Sequence, residues 1–226
     1  MGFEAVVFDL DATIVNLGQF VEWNRAKTKI IEKYLLLGCK EDTVKSCSAK
    51  GLFPMLNTMW DNLCIESNEP FGIQSQIFEI LEQHELEGVQ NCVPLQGAHN
   101  ALEWLKKRDI STGLCTSNSQ KVAEAVLDQL KLSDFFSSVV GRTPGIKMKP
   151  DPEQLIQVFR QLNVDPKKGI MVGDSPGDVL AAKSIGTYTI GIPAYYRKPE
   201  SLRKVGVDEL LESLMDLPSI FEKLFN

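Results

Sequence analysis

Apolar positions fall along this chain in two textures. Ala5-Val6-Val7-Phe8 is a short continuous run of β-branched and aromatic residues and predicts a buried strand. From there to about Val93 the spacing is helical. Phe20, Trp23, Ile30, Tyr34 and Leu37 fit one helical face. Leu52, Met55, Leu56, Met59 and Leu63 make a cleaner stripe, with Pro54 tolerable only in its first turn, and Ile73, Ile77, Ile80 and Leu81 make a third. The stripes read most simply as packing faces.

From Pro94 the texture alternates. Helices are predicted over Gly97 to Lys107, about Ser119 to Leu130, after Pro152, and over Gly177 to Ile185. Strands are predicted at Ser111 to Thr116, Ser138 to Val140, Gly169 to Val172 and Thr187 to Ile190. Strands alternating with helices imply parallel βαβ units with helices on both faces. The expected fold is therefore α/β, a doubly wound parallel sheet built from 1–14 and 94–226, with an all-helical module inserted over 15–93. Ligands of such sheets gather outside the carboxyl ends of the strands, at a topological switch point.

Composition narrows the partners. The 226 residues are 43% hydrophobic and 24% charged, as in an ordinary soluble domain, and the net charge is −6. A nucleic-acid backbone needs a basic face, so no nucleic acid is expected. No apolar stretch is long enough to span a bilayer, so no membrane is expected. The first strand begins at once, leaving no room for a signal peptide, and Val6 stands where a myristoylation site at Met1-Gly2 would want Ser or Thr. Five widely spaced cysteines without a Cys-x-x-Cys, and only two histidines, argue against a zinc site or a disulfide framework and for a cytoplasmic protein. Cys115, inside an apolar run, reads as a packing residue.

Four clusters carry candidate chemistry, each just after a predicted strand or on a rigid loop. Asp9 and Asp11 follow the first strand two residues apart, so both side chains can face one spot. Like charges so placed are costly unless a cation sits between them, and an EF-hand loop is ruled out by Ile14 at its glycine position. A Mg²⁺-assisted phosphoryl-transfer site uses such a pair: one carboxylate attacks phosphorus and the other moves the proton. Thr116-Ser117-Asn118 can cap the next helix, and the same hydroxyl and backbone N–H groups can cradle a phosphate. Lys149 stands before Pro150 and Pro152, which make its position rigid, and is preferred to Lys147 as the ammonium that balances carboxylates and a phosphoryl oxygen. Asp174 ends a strand and Asp178 follows one helical turn later; hard oxygen ligands of this kind suit Mg²⁺.

In this order the clusters resemble the haloacid dehalogenase superfamily, in its phosphatase branch with a helical cap, along nearly the whole chain. Asp9-Leu10-Asp11-Ala12-Thr13 is similar to the first motif, Thr116 to the second, Lys149 before Pro150 to the third, and Gly173-Asp174 with Asp178 to the fourth. Val93-Pro94-Leu95-Gln96-Gly97 is similar to the re-entry into the core. Lys50-Gly51-Leu52-Phe53-Pro54 is similar to a helix start in the cap of phosphoglycolate-phosphatase-like members.

The resemblance implies a Rossmann-like core and the following roles. Asp9 is the nucleophile, forming a phosphoaspartyl intermediate, and Asp11 is the acid and base. Thr116 and Lys149 bind the phosphoryl group, with Ser117 and Asn118 beside them. Mg²⁺ is held by Asp9, Asp11 through its backbone carbonyl, and Asp174, with Asp178 either in that set or orienting Lys149. Ala12 departs from the family, which usually has Gly there. The activity that the resemblance implies is hydrolysis of a small, phosphoglycolate-like phosphate monoester, with the oligomeric state left open. A phosphosugar mutase and a non-catalytic scaffold are the alternatives, the second disfavoured because every charged motif residue is present. Trp23, Arg25, Lys50 and Trp60 are candidate substrate contacts from the inserted module.

Overall fold

The computed structural model describes residues 2–193 and 199–225; Met1 of the Met1-Gly2 pair lies outside them. Six parallel strands form one sheet: β1 (Ala5–Phe8), β2 (Ser111–Ser119), β3 (Ser138–Arg142), β4 (Gly169–Gly173), β5 (Tyr188–Gly191) and β6 (Glu209–Leu210), in the order β3-β2-β1-β4-β5-β6. The chain builds outward from β1 to β3 and then returns to the other side of β1, so the winding reverses between β1 and β4. That reversal opens a crevice at the carboxyl ends of β1 and β4.

Period-two alternation distributes the strand side chains between two apolar layers. Val6 and Phe8 pack toward α5 (Ala98–Lys106), α6 (Gln120–Gln129) and α10 (Leu217–Phe225). Ala5 and Val7 pack with Cys115 toward α7 (Glu153–Leu162) and α8 (Pro176–Ser184). Cys115 is fully buried, and burial pushes its thiol up to about 12, which suits packing and not reactivity. A short helix α9 (Pro199–Lys204) precedes β6.

Between β1 and α5 lie a 3₁₀ turn (Leu17–Phe20) and four helices: α1 (Trp23–Leu36), α2 (Glu41–Ser48), α3 (Leu52–Glu66) and α4 (Pro70–Val89). They share their own apolar cluster, centred on Ile30, Tyr34, Met55, Leu56, Met59, Ile77 and Leu81. All three predicted stripes contribute to it. Phe20 and Leu37 are the exceptions: Phe20 belongs to the 3₁₀ turn and is exposed, and Leu37 falls just past the end of α1, outside the cluster. The crossings between sheet and helices run side by side, with Leu95 N–H donating to the Ile14 carbonyl at 2.8 Å and Val93 N–H to Asn16 Oδ1 at 2.8 Å.

Several elements differ from expectation. Helix α2 was not legible because Val44 and Cys47 are its only buried apolar residues in eight. Strand β2 runs on to Ser119 and does not stop at Thr116. Its pairing with β3 shifts between Cys115 and Ser119, so Thr116-Ser117-Asn118 bulges out of the ladder. The helix cap falls just after the bulge, where Ser119 Oγ accepts from Val122 N–H at 3.1 Å. Chain beyond β5 carried no predicted element: β6 has two residues and α9 six, too few for a period to show, and the nine-residue α10 was missed although its buried Leu217 and Phe221 stand one helical turn apart.

Candidate active site

Strand ends and one rigid loop bring the predicted residues to the crevice. Asp9 follows β1, Thr116 sits in the bulge of β2, and Asp174 follows β4. Together with Asp11, Ala12, Ser117, Asn118, Lys149, Ser175 and Asp178 they line a cavity of about 370 Å³. Asp9, Thr116, Asn118, Lys149, Asp174 and Asp178 are buried, while Asp11 and Ser117 are half-buried.

Lys149 is the hub. Its ammonium donates to Asp9 Oδ1 at 2.6 Å, Asp178 Oδ1 at 2.5 Å and the Cys115 carbonyl at 2.8 Å. Three acceptors satisfy its three donors. Burial by itself would lower this ammonium, but Asp178 and Asp9 outweigh burial and raise it above its usual range, so it stays charged. Lys147 instead pairs with Asp61 on α3 at 2.6 Å.

Asp178 serves two structures at once. Its Oδ2 accepts from Ser175 N–H at 2.9 Å and from Ser175 Oγ at 2.6 Å, while Ser175 Oγ accepts from Asp178 N–H at 3.3 Å. This reciprocal box starts α8, with Pro176 in its first turn. The helix cap therefore fixes the carboxylate that holds Lys149. Gly173 permits the approach, because a Cβ there would lie 2.5 Å from Asp178 Cβ.

One carboxylate oxygen each from Asp9, Asp174 and Asp178 lie within 4.8 Å of one another. Burial pushes the Asp9 carboxyl up to about 7; the Lys149 ammonium opposes the rise and Asp178 adds to it. A buried carboxyl held this high beside hard oxygen donors fits a divalent cation of the Mg²⁺ type, which would relieve the repulsion. Asp11 is not in that cluster: its Oδ1 accepts from Gly18 N–H at 2.7 Å. A Cβ on Gly18 would come within 2.3 Å of Asp11 Oδ2, so glycine is what lets the segment fold over the carboxylate. Ala12, which follows Asp11 directly, is buried at φ +62°, the left-handed region that favours glycine.

The bulge is supported from behind by groups that sequence reasoning missed. Glu85 of α4 and Arg142 at the end of β3 form a fully buried pair, Nη1 to Oε1 at 2.9 Å and Nη2 to Oε2 at 2.7 Å. Arg142 also donates to the Ser117 carbonyl at 2.6 Å, and Glu85 accepts from Asn118 Nδ2 at 3.0 Å and Ser119 N–H at 3.3 Å. Thr116 Oγ1 in turn donates to Asn118 Oδ1 at 3.1 Å. The signal was present: Glu85 follows Ile77 and Leu81 at four-residue steps, an acid on an apolar face. The Lys149 loop is held similarly, with Asn57 Nδ2 donating to the Met148 carbonyl at 2.7 Å and Gly145 N–H donating to Gln74 Oε1 at 2.7 Å.

Of the candidates from the helical module, Trp23 lines the cavity. Arg25 pairs with Glu22, Lys50 reaches Thr58 at 3.5 Å, and Trp60 is buried edge-on to Phe71 with ring centroids 5.0 Å apart.

The family model of haloacid dehalogenase-like hydrolases matches residues 6–192. The chain belongs to the haloacid dehalogenase-like hydrolases. Among relatives, a phosphoglycolate phosphatase of Pseudomonas putida is 34% identical over 115 residues, which are 51% of this chain and 40% of that protein. The chain thus spans well under half the length of that relative. Pyrophosphatase PpaX of Bacillus velezensis is 25% identical over 213 residues, 94% of each chain. In fold, the chain resembles the crystal structure of a hydrolase from Pseudomonas syringae, with a TM-score of 0.69 at 19% identity over 99% of this chain and 100% of that one.

Proposed function

We propose that this hydrolase is a Mg²⁺-dependent phosphatase of small phosphate monoesters that works through a phosphoaspartyl intermediate. The observation that carries the reading is Lys149 bridging Asp9 and Asp178 at the mouth of the β1/β4 crevice, with Asp174 beside them. Relatives named for phosphoglycolate phosphatase and pyrophosphatase activity support phosphoryl chemistry of this class.

Asp9 attacks phosphorus and the ester oxygen leaves. Asp11, steered by Gly18 N–H, protonates that oxygen and then takes a proton from the water that cleaves the acyl phosphate. Lys149, Thr116 and the N–H groups of the bulge hold the transferred phosphoryl oxygens. Asp9, Asp174 and the backbone carbonyl of Asp11 would hold Mg²⁺, with Asp178 committed to Lys149 and the helix cap. Bound there, the ion offsets the approach of one anion to another. The helices of 15–93 act as a cap that excludes water from the acyl phosphate. Cytoplasmic residence is part of the reading, supported by five free cysteines and by the lack, among the described residues, of a helix long and apolar enough to cross a membrane.

The test is Asp9→Asn. Inorganic phosphate release from monoesters should fall by at least about 10³-fold, with circular dichroism unchanged, because an amide cannot form the acyl phosphate. Near-wild-type release, with the labelled phosphoryl group on another residue, would remove Asp9 from the role. Release of phosphate to water, and no conversion of β-glucose 1-phosphate to the 6-phosphate, separates this reading from a mutase.

A further inference from the structure

The same cavity has a second wall, and its chemistry differs from the floor. Trp23 from α1 and Phe53 and Pro54 from α3 line the cavity beside the carboxylates, together with Leu180 of α8. Trp23 and Phe53 pack edge to face with centroids 5.7 Å apart, a preferred aromatic geometry that fixes both rings. The indole N–H of Trp23 donates to the Gly18 carbonyl at 2.9 Å, so its polar atom is already used. Leu180 is 45% exposed and lines the same cavity.

Several basic side chains of the neighbouring elements are engaged elsewhere, and the exposed Lys50 reaches Thr58 at 3.5 Å. Arg25 pairs with Glu22, Lys147 with Asp61, and Lys27 donates to the Ser48 carbonyl at 2.7 Å. Among the described residues lining the cavity, Lys149 is the one cation, and its three donors are engaged. Four carboxylates line the same space. A leaving group that carried its own carboxylate would meet no partner on the aromatic wall and would add a like charge to the floor. The cavity's 370 Å³ is at the small end of the roughly 300–1,000 Å³ typical of small-ligand sites, which leaves space for a phosphoryl group and a compact substituent.

Resting on the phosphatase reading, we infer that the preferred substrate is the phosphate monoester of an uncharged, compact, apolar alcohol, whose hydrocarbon lies against Trp23, Phe53, Pro54 and Leu180. Carboxylate-bearing esters such as phosphoglycolate are poor substrates by comparison. The wall supplies transfer free energy for the hydrocarbon, and its lack of a free cation among the described residues selects against the acid.

The full chain with saturating Mg²⁺ is to be compared on benzyl phosphate and 2-phosphoglycolate, whose alcohols leave with similar basicity, so kcat/KM reports recognition. Benzyl phosphate should be favoured by roughly tenfold or more, the scale of discrimination an apolar pocket reaches. Equal or better turnover of 2-phosphoglycolate overturns the inference. Calorimetric binding of their non-hydrolysable analogues, 2-phenylethylphosphonate and 3-phosphonopropionate, gives a second reading that needs no turnover. If no ester is hydrolysed, the phosphatase reading falls, and the two affinities still decide the wall's preference. Pro54→Arg, at an exposed position, and Phe53→Arg should both shift the ratio toward 2-phosphoglycolate; an unchanged ratio in both variants, each folded by circular dichroism, counts against the inference.

Discussion

Ala12 shows how a single residue bears on the site. At φ +62° an L-residue carries strain of about 1–2 kcal/mol that glycine does not. Its buried methyl returns about 0.8 kcal/mol of burial. The strain is the larger, so Ala12→Gly should stabilise the protein by about 0.2–1.2 kcal/mol. The check is a higher urea midpoint with an unchanged m-value. The sequence had marked this position as a departure from the family, but the sign of φ is set by the turn that brings Gly18 N–H onto Asp11.

Among elements, α4 does the most to shape the site it never enters. Its Glu85 joins β3 to the bulge of β2 through one buried ion pair and two further hydrogen bonds. Removing one partner strands the other charge, so Glu85→Ala should cost about 3–5 kcal/mol, read by chemical denaturation. If the variant loses less than 1 kcal/mol, roughly the value of an exposed pair, the bulge is held by something else. A milder device ties α8 to β5 and β6. Asp208 accepts from Lys183 at 2.8 Å and from Thr189 N–H at 2.9 Å and Oγ1 at 2.6 Å. Burial opposes ionisation there, but Lys183 and Thr189 together outweigh it and hold the carboxyl below its usual range. A depressed folded pKa means that the stabilisation is present above the unfolded value near 3.9 and is lost as pH falls through the folded one. Wild type should therefore melt above Asp208→Asn at pH 7, and the gap should close as pH drops toward 3.

At the scale of the whole molecule, sheet and helical module meet around the crevice. Met148 of the core inserts into the apolar cluster of the inserted helices, and Asn57 clasps its backbone. The loop that carries Lys149 is therefore held by both parts. Chelation with EDTA should stop phosphate release and Mg²⁺ should restore it, while Ca²⁺, with looser and longer coordination, should support it poorly. Full activity in metal-free protein would contradict the roles given to Asp9 and Asp174.

The order of the strands came with the structure, but by itself the sequence determined the alternation of strands and helices that makes a parallel α/β sheet, the helical insertion and the polar residues near the strand ends. These are written in short-range periodicity and in polar residues that interrupt it, so they can be read locally. Only the tertiary structure decided which groups meet. Lys149 reaches Asp9 across 140 positions, Asn57 reaches Met148 across 91, and Glu85 reaches Arg142 across 57. No local period encodes such pairings, because each depends on how several elements pack against a third. The aromatic wall belongs with them: along the chain Trp23 reads as part of a packing stripe and as a candidate substrate contact, and Phe53 only as part of a helix start, and the two line one cavity because α1 and α3 sit over the β1/β4 crevice.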